Sequence, residues 1–149
     1  MSRIIFSRPE DGGVTVVYPA RPPATDKLAA QTVPPGVEYE IVDDDAIFPP
    51  DELFFDAWTW AGKGKRIIED LEKSKAFACD EVKRAGLQRF KEASEAAVFD
   101  DSAVKAAEAV KSDCKCCLDA INAASTPYEA KVLMCSYCEL PAPQQSSSN

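Results

Sequence analysis

The sequence of 149 residues contains no histidine. Its absence excludes Ser-His-Asp and Cys-His nucleophile systems and every histidine-ligated metal site, so any zinc ion would need sulfur or carboxylate ligands. The sequence also lacks a phosphate-loop motif and a carboxylate pair spaced for acid–base catalysis. We therefore expect a protein that is not an enzyme and has no small-molecule substrate. No cofactor is expected either, with zinc as the one alternative.

A basic excess and a long hydrophobic run are also lacking. The formal charge is −8, whereas nucleic acids and anionic membranes are bound through basic patches, so neither is an expected partner. No apolar run reaches the ~18–20 residues that span a bilayer. The stretch 1–13 has neither the apolar length nor the cleavage site of a signal peptide. We expect synthesis in a cytoplasm and no export through a signal peptide.

The first 60 residues carry the patterns of a small α+β unit. Two β-rich runs, Arg3–Ser7 and Val14–Tyr18, flank the turn residues Asp11-Gly12-Gly13 and predict a hairpin. A short helix is expected after a Thr25 cap, and the alternation over Glu38–Asp43 predicts a third strand. The acidic residues that follow this strand are expected to form a solvated loop, since they lack the spacing of a known cation site.

From Arg66 onward the hydrophobic period becomes helical. Three helices are predicted: one interrupted by Gly86, which costs ~1 kcal/mol relative to alanine, one starting near Ser102, and one starting at Pro127 behind a Thr126 cap. The expected fold class is α+β, with a small N-terminal three-stranded unit followed by a C-terminal three-helix unit. The predicted organisation is a docking unit (1–60), a linker (61–65), a helical unit (66–140) and a disordered tail (141–149).

Four cysteines form two C-x-x-C pairs, Cys114 with Cys117 and Cys135 with Cys138. If the second and third helices fold back on each other about Thr126, Cys114 lies level with Cys138 and Cys117 with Cys135. Residues three apart share a helical face, so four thiols are expected along one seam. Facing Cα atoms on close-packed helices lie ~4–5 Å apart, within reach of a disulfide. The first interpretation is therefore two disulfides, each stabilising by ~3 kcal/mol.

Two alternatives remain open for the same four cysteines. One is a four-thiolate zinc site, for which the C-x2-C-x17-C-x2-C spacing is close to that of zinc ribbons, although helix-forming residues surround the pairs. The other is a thioredoxin-like redox pair, which would need a helix N-terminus to lower the thiol pKa. The remaining cysteines, Cys79 and Cys116, are candidates for a further disulfide or for a bond between subunits.

Four aromatic residues are the candidate protein-docking surface: Phe54, Phe55, Trp58 and Trp60. The alternative is that they form the core between the hairpin and the first long helix. We expect most of them to be core, with one or two at an interface.

Several segments together resemble a group of small tailed-bacteriophage proteins. They are the hairpin turn within Pro9–Pro19, the strand VPPGVEYEIVD within Val33–Asp43, the aromatic segment Phe55–Trp58 and the TPYEAK segment Thr126–Lys131. The helical half is similar to a region of phage tail assembly chaperone-like proteins. The resemblance covers most of residues 1–133, and its motifs are structural.

The resemblance implies a phage structural or tail-assembly role, with other phage structural proteins as partners and a homo-oligomer as a further possibility. The cysteine content departs from the family pattern and favours a component that stays in the virion, on the tail, fibre, neck or capsid, and meets oxidising medium after lysis. The alternatives are a tail-fibre assembly chaperone that leaves before maturation and a four-cysteine zinc adaptor.

Overall fold

Strands come first and long helices second in this chain. The computed structural model describes residues 1–145. In chain order the elements are β1 (Arg3–Ser7), β2 (Val14–Val17), α1 (Asp26–Thr32), β3 (Tyr39–Val42), β4 (Trp58–Trp60), β5 (Ile67–Glu69), α2 (Leu71–Ala97), α3 (Ser102–Asn122) and α4 (Pro127–Tyr137). The predicted α+β class, a small three-stranded sheet followed by three long helices, is confirmed.

The described residues divide into two compact units, Met1–Asp70 and Leu71–Gln145. This break differs from the expected linker at 61–65. Strands β4 and β5 pair in antiparallel fashion, with Trp60 opposite Ile67, so residues 61–65 are the loop of a hairpin inside the first unit. The first long helix accordingly begins at Leu71 and not at Arg66.

Two glutamates of the segment leading into and along β3 hold this loop. The backbone N–H of Lys63 donates to Glu38 Oε1 at 3.3 Å, and that of Gly64 donates to Glu40 Oε2 at 3.1 Å. Gly62 and Gly64 have positive φ angles of 124° and 75°, which glycine adopts at little cost. The glycine-lysine composition resembles a linker, but carboxylates about 25 residues upstream order it.

The three-stranded sheet has the order β2-β1-β3 and is covered on both faces. Successive side chains of a strand point to opposite faces. Ile4 accordingly packs with Ala24 and Ala29 on the α1 side, while Ile5 packs with Trp58 and Trp60 of the β4–β5 hairpin. This explains why the central strand is a continuous apolar run and not an alternating one.

The β1–β2 turn has the conformation that its Asp-Gly-Gly residues predict. Arg8 N donates to Gly13 O at 2.7 Å, and Asp11 Oδ1 accepts from Gly13 N at 2.8 Å. Gly12 has a φ of 72°, which favours glycine there. The motif Pro9–Pro19 is therefore a structural turn between two paired strands.

The acidic run after β3 has local structural roles. Asp44 Oδ1 accepts from Ala46 N at 2.8 Å and so caps a single helical turn, Asp45–Ile47. Asp45 pairs with Arg3, whose guanidinium lies 4.3 Å from the centre of the Phe48 ring. These contacts give Asp44 and Asp45 a structural role.

The second unit is a bundle of three unequal helices. Helix α2 packs against both α3 and α4, and α3 also packs against α4. At ~1.5 Å per residue, the 11-residue α4 spans ~16 Å beside the ~40 Å of the 27-residue α2. The far end of α2 and the start of α3 therefore form a two-helix hairpin, because α4 is too short to reach it.

Helix α4 starts as the sequence predicts. Thr126 Oγ1 accepts from Glu129 N at 3.2 Å, and Glu129 Oε2 accepts in return from Ser125 N at 2.8 Å. This pair resembles a capping box, except that Glu129 binds the N–H one residue before the cap, and Pro127 is the first helical residue. Residues 141–145 form neither helix nor strand, and residues 146–149 of the expected tail lie outside the described part of the chain. Over residues 1–145, no helix combines the length and apolarity needed to cross a bilayer.

Candidate functional site

All six cysteines lie in the helical unit, and five of them are at least partly buried. Cys79 and Cys135 are buried and Cys114, Cys117 and Cys138 are half-buried, whereas Cys116 is exposed. We call the five non-exposed residues the cysteine cluster. One member comes from α2, two come from α3, and two come from α4 or its C-terminal cap.

The expected alignment of α3 and α4 holds to within two residues. Cys114 shares a hydrogen bond with the side chain of Tyr137, one residue before Cys138. Cys117 Sγ lies 3.8 Å from the carbonyl oxygen of Leu133, two residues before Cys135. The helices thus fold back about Thr126 at close to the predicted level.

The thiols at these levels nevertheless do not pair with one another. All six cysteines are free thiols, so the bonds Cys114–Cys138 and Cys117–Cys135 are not formed. Cys114 Sγ lies 3.9 Å from Val82 O and Cys138 Sγ 3.9 Å from Glu81 O, both on α2. Each thiol is thus a weak donor to a backbone carbonyl.

The third helix explains this difference. In a hairpin of α3 and α4 alone, as the sequence predicts it, each buried side chain can face only the other helix. In the bundle, α2 supplies a second neighbour, and Cys114 and Cys138 turn toward it. The four thiols therefore lie around three helices and not along one seam. The disulfides Cys114–Cys138 and Cys117–Cys135 stay a prediction.

Burial makes these thiols weak acids. Desolvation is the largest cause that raises the pKa of Cys79, Cys117 and Cys138 above its ordinary value. For Cys117 the neighbouring Cys114 raises the pKa further, and for Cys138 the guanidinium of Arg89 partly offsets the rise. Since the thiolate is the reactive form, the raised pKa values favour the protonated, unreactive form of Cys79, Cys117 and Cys138.

The same geometry bears on zinc. A structural zinc site needs four deprotonated thiolates at the corners of a tetrahedron. Within residues 1–145, no three or more cysteine, aspartate or glutamate residues converge on a point where an ion could sit. The four-thiolate alternative stays a prediction. A redox pair of the thioredoxin type is disfavoured, because burial raises the pKa values that such a site must lower.

Cys79 and Cys116 lie apart in the bundle. Cys79 Sγ is 3.7 Å from Asn122 Oδ1 at the end of α3, whereas Cys116 is exposed on α3. The two are not bonded to each other. The suggested bond between subunits through Cys116 stays a prediction.

At Gly86, helix α2 contacts residues of both α3 and α4. A Cβ atom at this position would lie 2.6 Å from Cys114 Sγ and 3.1 Å from Tyr137 Oη. The glycine that weakens α2 as an isolated helix thus makes room for α3 and α4. A glycine inside a strong helical pattern can indicate a close contact with another helix. The pattern does not show which side chain makes this contact.

Arg89 joins α2 to the end of α4. Its guanidinium lies 4.4 Å from the centre of the Tyr137 ring and donates to the Tyr137 carbonyl oxygen. A cation at the carboxyl end of a helix interacts favourably with the helix dipole. The contact spans 48 residues of sequence, and nothing in the local pattern around Arg89 indicates it.

The four aromatic docking candidates are mostly core residues. Phe54, Trp58 and Trp60 are buried, and only Phe55 is half-buried. Trp58 packs 4.9 Å from Phe55 and 5.9 Å from Phe48, measured between ring centres. Because a docking residue must be accessible before the partner arrives, three of the four cannot serve as one. Trp58 and Trp60 instead pack the β4–β5 hairpin against the sheet.

Comparison of the chain with protein-family models, with curated proteins and with solved structures finds no match.

Proposed function

We propose that this protein is a non-enzymatic bacteriophage protein that binds other virion proteins and is carried in the particle, on the tail, fibre, neck or capsid. One observation carries the proposal. The phage-like segments Pro9–Pro19, Val33–Asp43 and Phe55–Trp58 lie next to one another in the first unit, as turn, strand and core. A shared structural module is what such a resemblance would preserve.

The outer edge of β2 is the proposed docking edge in the first unit. The sheet order leaves β2 and β3 as edge strands, and Glu38 and Glu40 hold the 61–65 loop beside β3. No strand within residues 1–145 pairs with the outer side of β2. An exposed strand edge can accept a strand from a partner.

The first experiment is quantitative mass spectrometry of gradient-purified virions and of infected-cell lysate, with a capsid protein as the positive control and an abundant host protein as the contamination control. Peptides of this chain at a fixed ratio to the capsid protein support the proposal. Peptides abundant in the lysate but depleted from the particles to the level of the host protein contradict it.

A matched pair of variants tests the docking edge. Thr15→Lys places a lysine on the β2 edge, where it opposes strand addition, and should lower incorporation into the particle at least tenfold. Gln31→Lys adds the same charge on α1, away from this edge, and should leave incorporation unchanged. Equal incorporation of both variants would exclude β2 as the contact.

A second candidate is a tail-fibre assembly chaperone that is absent from the mature virion. The observation that favours it is the set of six free thiols, since a protein confined to a reducing cytoplasm keeps its cysteines reduced.

Intact mass after alkylation with and without reductant, alongside zinc analysis, separates the cysteine states. Thiols that alkylate only after reduction support a disulfide-stabilised particle protein, and one zinc per chain would support the adaptor alternative.

A further inference from the structure

The loop of the β4–β5 hairpin carries three exposed basic side chains. Lys63, Lys65 and Arg66 lie within four residues, and all three are exposed. The segment 61–68 contains no acidic residue and carries +3, whereas the whole chain carries −8. Within residues 1–145, none of the three side chains forms an ion pair. The loop is thus a basic surface on an acidic protein.

The backbone of this loop is held in one conformation. Its turn closes through Lys65 N, which donates to Gly62 O at 3.1 Å. The hydrogen bonds of two further backbone N–H groups to Glu38 and Glu40 attach the loop to the segment around β3. Because the loop is ordered before a partner arrives, binding costs less conformational entropy than it would for a free linker.

The two glutamates bind the backbone of the loop and not its basic side chains. Glu38 and Glu40 both accept from main-chain N–H groups, so the three cations stay exposed to solvent. Counted together with the two glutamates, the loop has a charge of +1, which leaves −9 on the rest of the chain. The same contacts show that two carboxylates spaced two residues apart fit against this loop. Acidic side chains are therefore the kind of ligand that it accommodates.

An exposed apolar side chain adjoins the basic ones. Ile67 is buried beneath the hairpin, and successive side chains of a strand point to opposite faces. Arg66 and Ile68, which flank Ile67, accordingly point outward, and Ile68 is 61% exposed. An apolar contact bordered by polar and charged ones is the usual composition of a protein interface.

We propose that the 61–68 surface binds an acidic, extended segment of a partner protein, whose carboxylates pair with Lys63, Lys65 and Arg66. Arg66 offers a planar fork for a bidentate carboxylate contact, and the lysines act as point charges. Exposed ion pairs are individually weak, so the contact is weak and sensitive to salt. The surface lies at β3, on the opposite edge of the sheet from β2, and the proposal is independent of the phage assignment.

Fluorescence anisotropy of a labelled hexaglutamate peptide, titrated with the full chain at low and at physiological ionic strength, tests the proposal. A labelled hexaglutamine peptide of the same length is the neutral control. The wild type should bind hexaglutamate and not hexaglutamine, and its affinity for hexaglutamate should fall as salt is added.

A matched pair of triple variants locates the contact. The test variant combines Lys63→Gln, Lys65→Gln and Arg66→Gln. The control variant makes the same change of charge at three exposed lysines of the helical unit, Lys91, Lys105 and Lys115. The test variant should bind hexaglutamate about tenfold more weakly, because it loses three ion pairs, and the control should change the affinity by less than about twofold. Circular dichroism confirms that both variants stay folded.

Three outcomes overturn the proposal. The first is a wild type that does not bind hexaglutamate at low ionic strength, and the second is a test variant that binds as well as the control variant. The third is a hexathymidylate oligonucleotide that binds more tightly than hexaglutamate, because the surface would then fit a nucleic acid and not an acidic protein segment. All of these measurements use the isolated chain, so they do not depend on whether the chain is found in the particle.

Discussion

Substituting Gly86 by alanine sets two effects of similar size against each other. In an exposed helix the change stabilises by ~1 kcal/mol, because glycine has the greater backbone freedom in the unfolded chain. Here the new methyl group would lie 2.6 Å from Cys114 Sγ and 3.2 Å from Cys114 Cβ. Carbon and its neighbours normally sit ~3.5–4.0 Å apart, so α3 or the Cys114 side chain must move by ~1 Å.

Overpacking of this kind costs ~1–3 kcal/mol, which exceeds the gain in helix propensity. We expect Gly86→Ala to lower the free energy of unfolding of the helical unit by ~1 kcal/mol. In a Cys114→Ala background the closest atom is gone, while the Cβ of residue 114 at 3.2 Å and Tyr137 Oη at 3.1 Å remain, and the same substitution should be close to neutral. The expected coupling energy between positions 86 and 114 is therefore ~1–2 kcal/mol, within the range of residues in contact.

Urea denaturation followed by circular dichroism at 222 nm, with reductant present, measures all four corners of this double-mutant cycle. Ala76→Gly on the exposed side of α2 is the matched control, and should cost ~1 kcal/mol. If Gly86→Ala stabilises the wild type by as much as Ala76→Gly destabilises it, the close approach of α2 and α3 at Gly86 is wrong.

Three other perturbations probe separate parts of the chain. Thr126→Ala removes the side-chain cap of α4 and should lower the free energy of unfolding by ~1 kcal/mol, measured by urea denaturation, while Thr126→Ser should retain most of it; equal losses would argue against capping. Burial raises the pKa of three thiols, so the folded chain binds these protons more tightly than the unfolded chain, and the resulting stability is present below the unfolded thiol pKa of ~8.5 and should fall as the pH rises above it. The free energy of unfolding should fall by less than ~1.4 kcal/mol per pH unit for each thiol, since Cys117 and Cys138 are partly exposed. A flat profile of this free energy from pH 8 to 10 would contradict the buried-thiol assignment. Glu40→Gln weakens the acceptor for the 61–65 loop and should increase tryptic cleavage after Lys63 or Lys65, measured by mass spectrometry, whereas a rate equal to that of the wild type would show that the loop is held by other contacts.

Local patterns predict the elements whose signals are local. The Asp11-Gly12-Gly13 turn, the third strand and the Thr126 cap all depend on residues within a few positions of one another, and all three lie where the sequence indicates. The α+β class follows from the change of hydrophobic period between the two halves.

The features that the sequence does not predict depend on distant partners. Strands β4 and β5 have only three residues each, too few for a period, and the carboxylates that order their loop lie about 25 residues upstream. The cysteine arrangement needs α2, which is distant in sequence from both C-x-x-C pairs. Core positions for most of the aromatic candidates are expected from the sequence, but that Trp58 and Trp60 pack against the three-stranded sheet is not.

The unequal lengths of α2 and α4 imply that backbone protection varies along a single continuous helix. Amide hydrogens near Val82 and Gly86 lie where three helices meet, so their exchange with solvent deuterium requires opening of the bundle. Those from Ala93 to Ala97 are shielded by α3 alone and should exchange faster in the isolated chain. Hydrogen exchange along α2 therefore reports whether anything covers its far end, and a rise in protection confined to those last turns would locate a bound neighbour without a label.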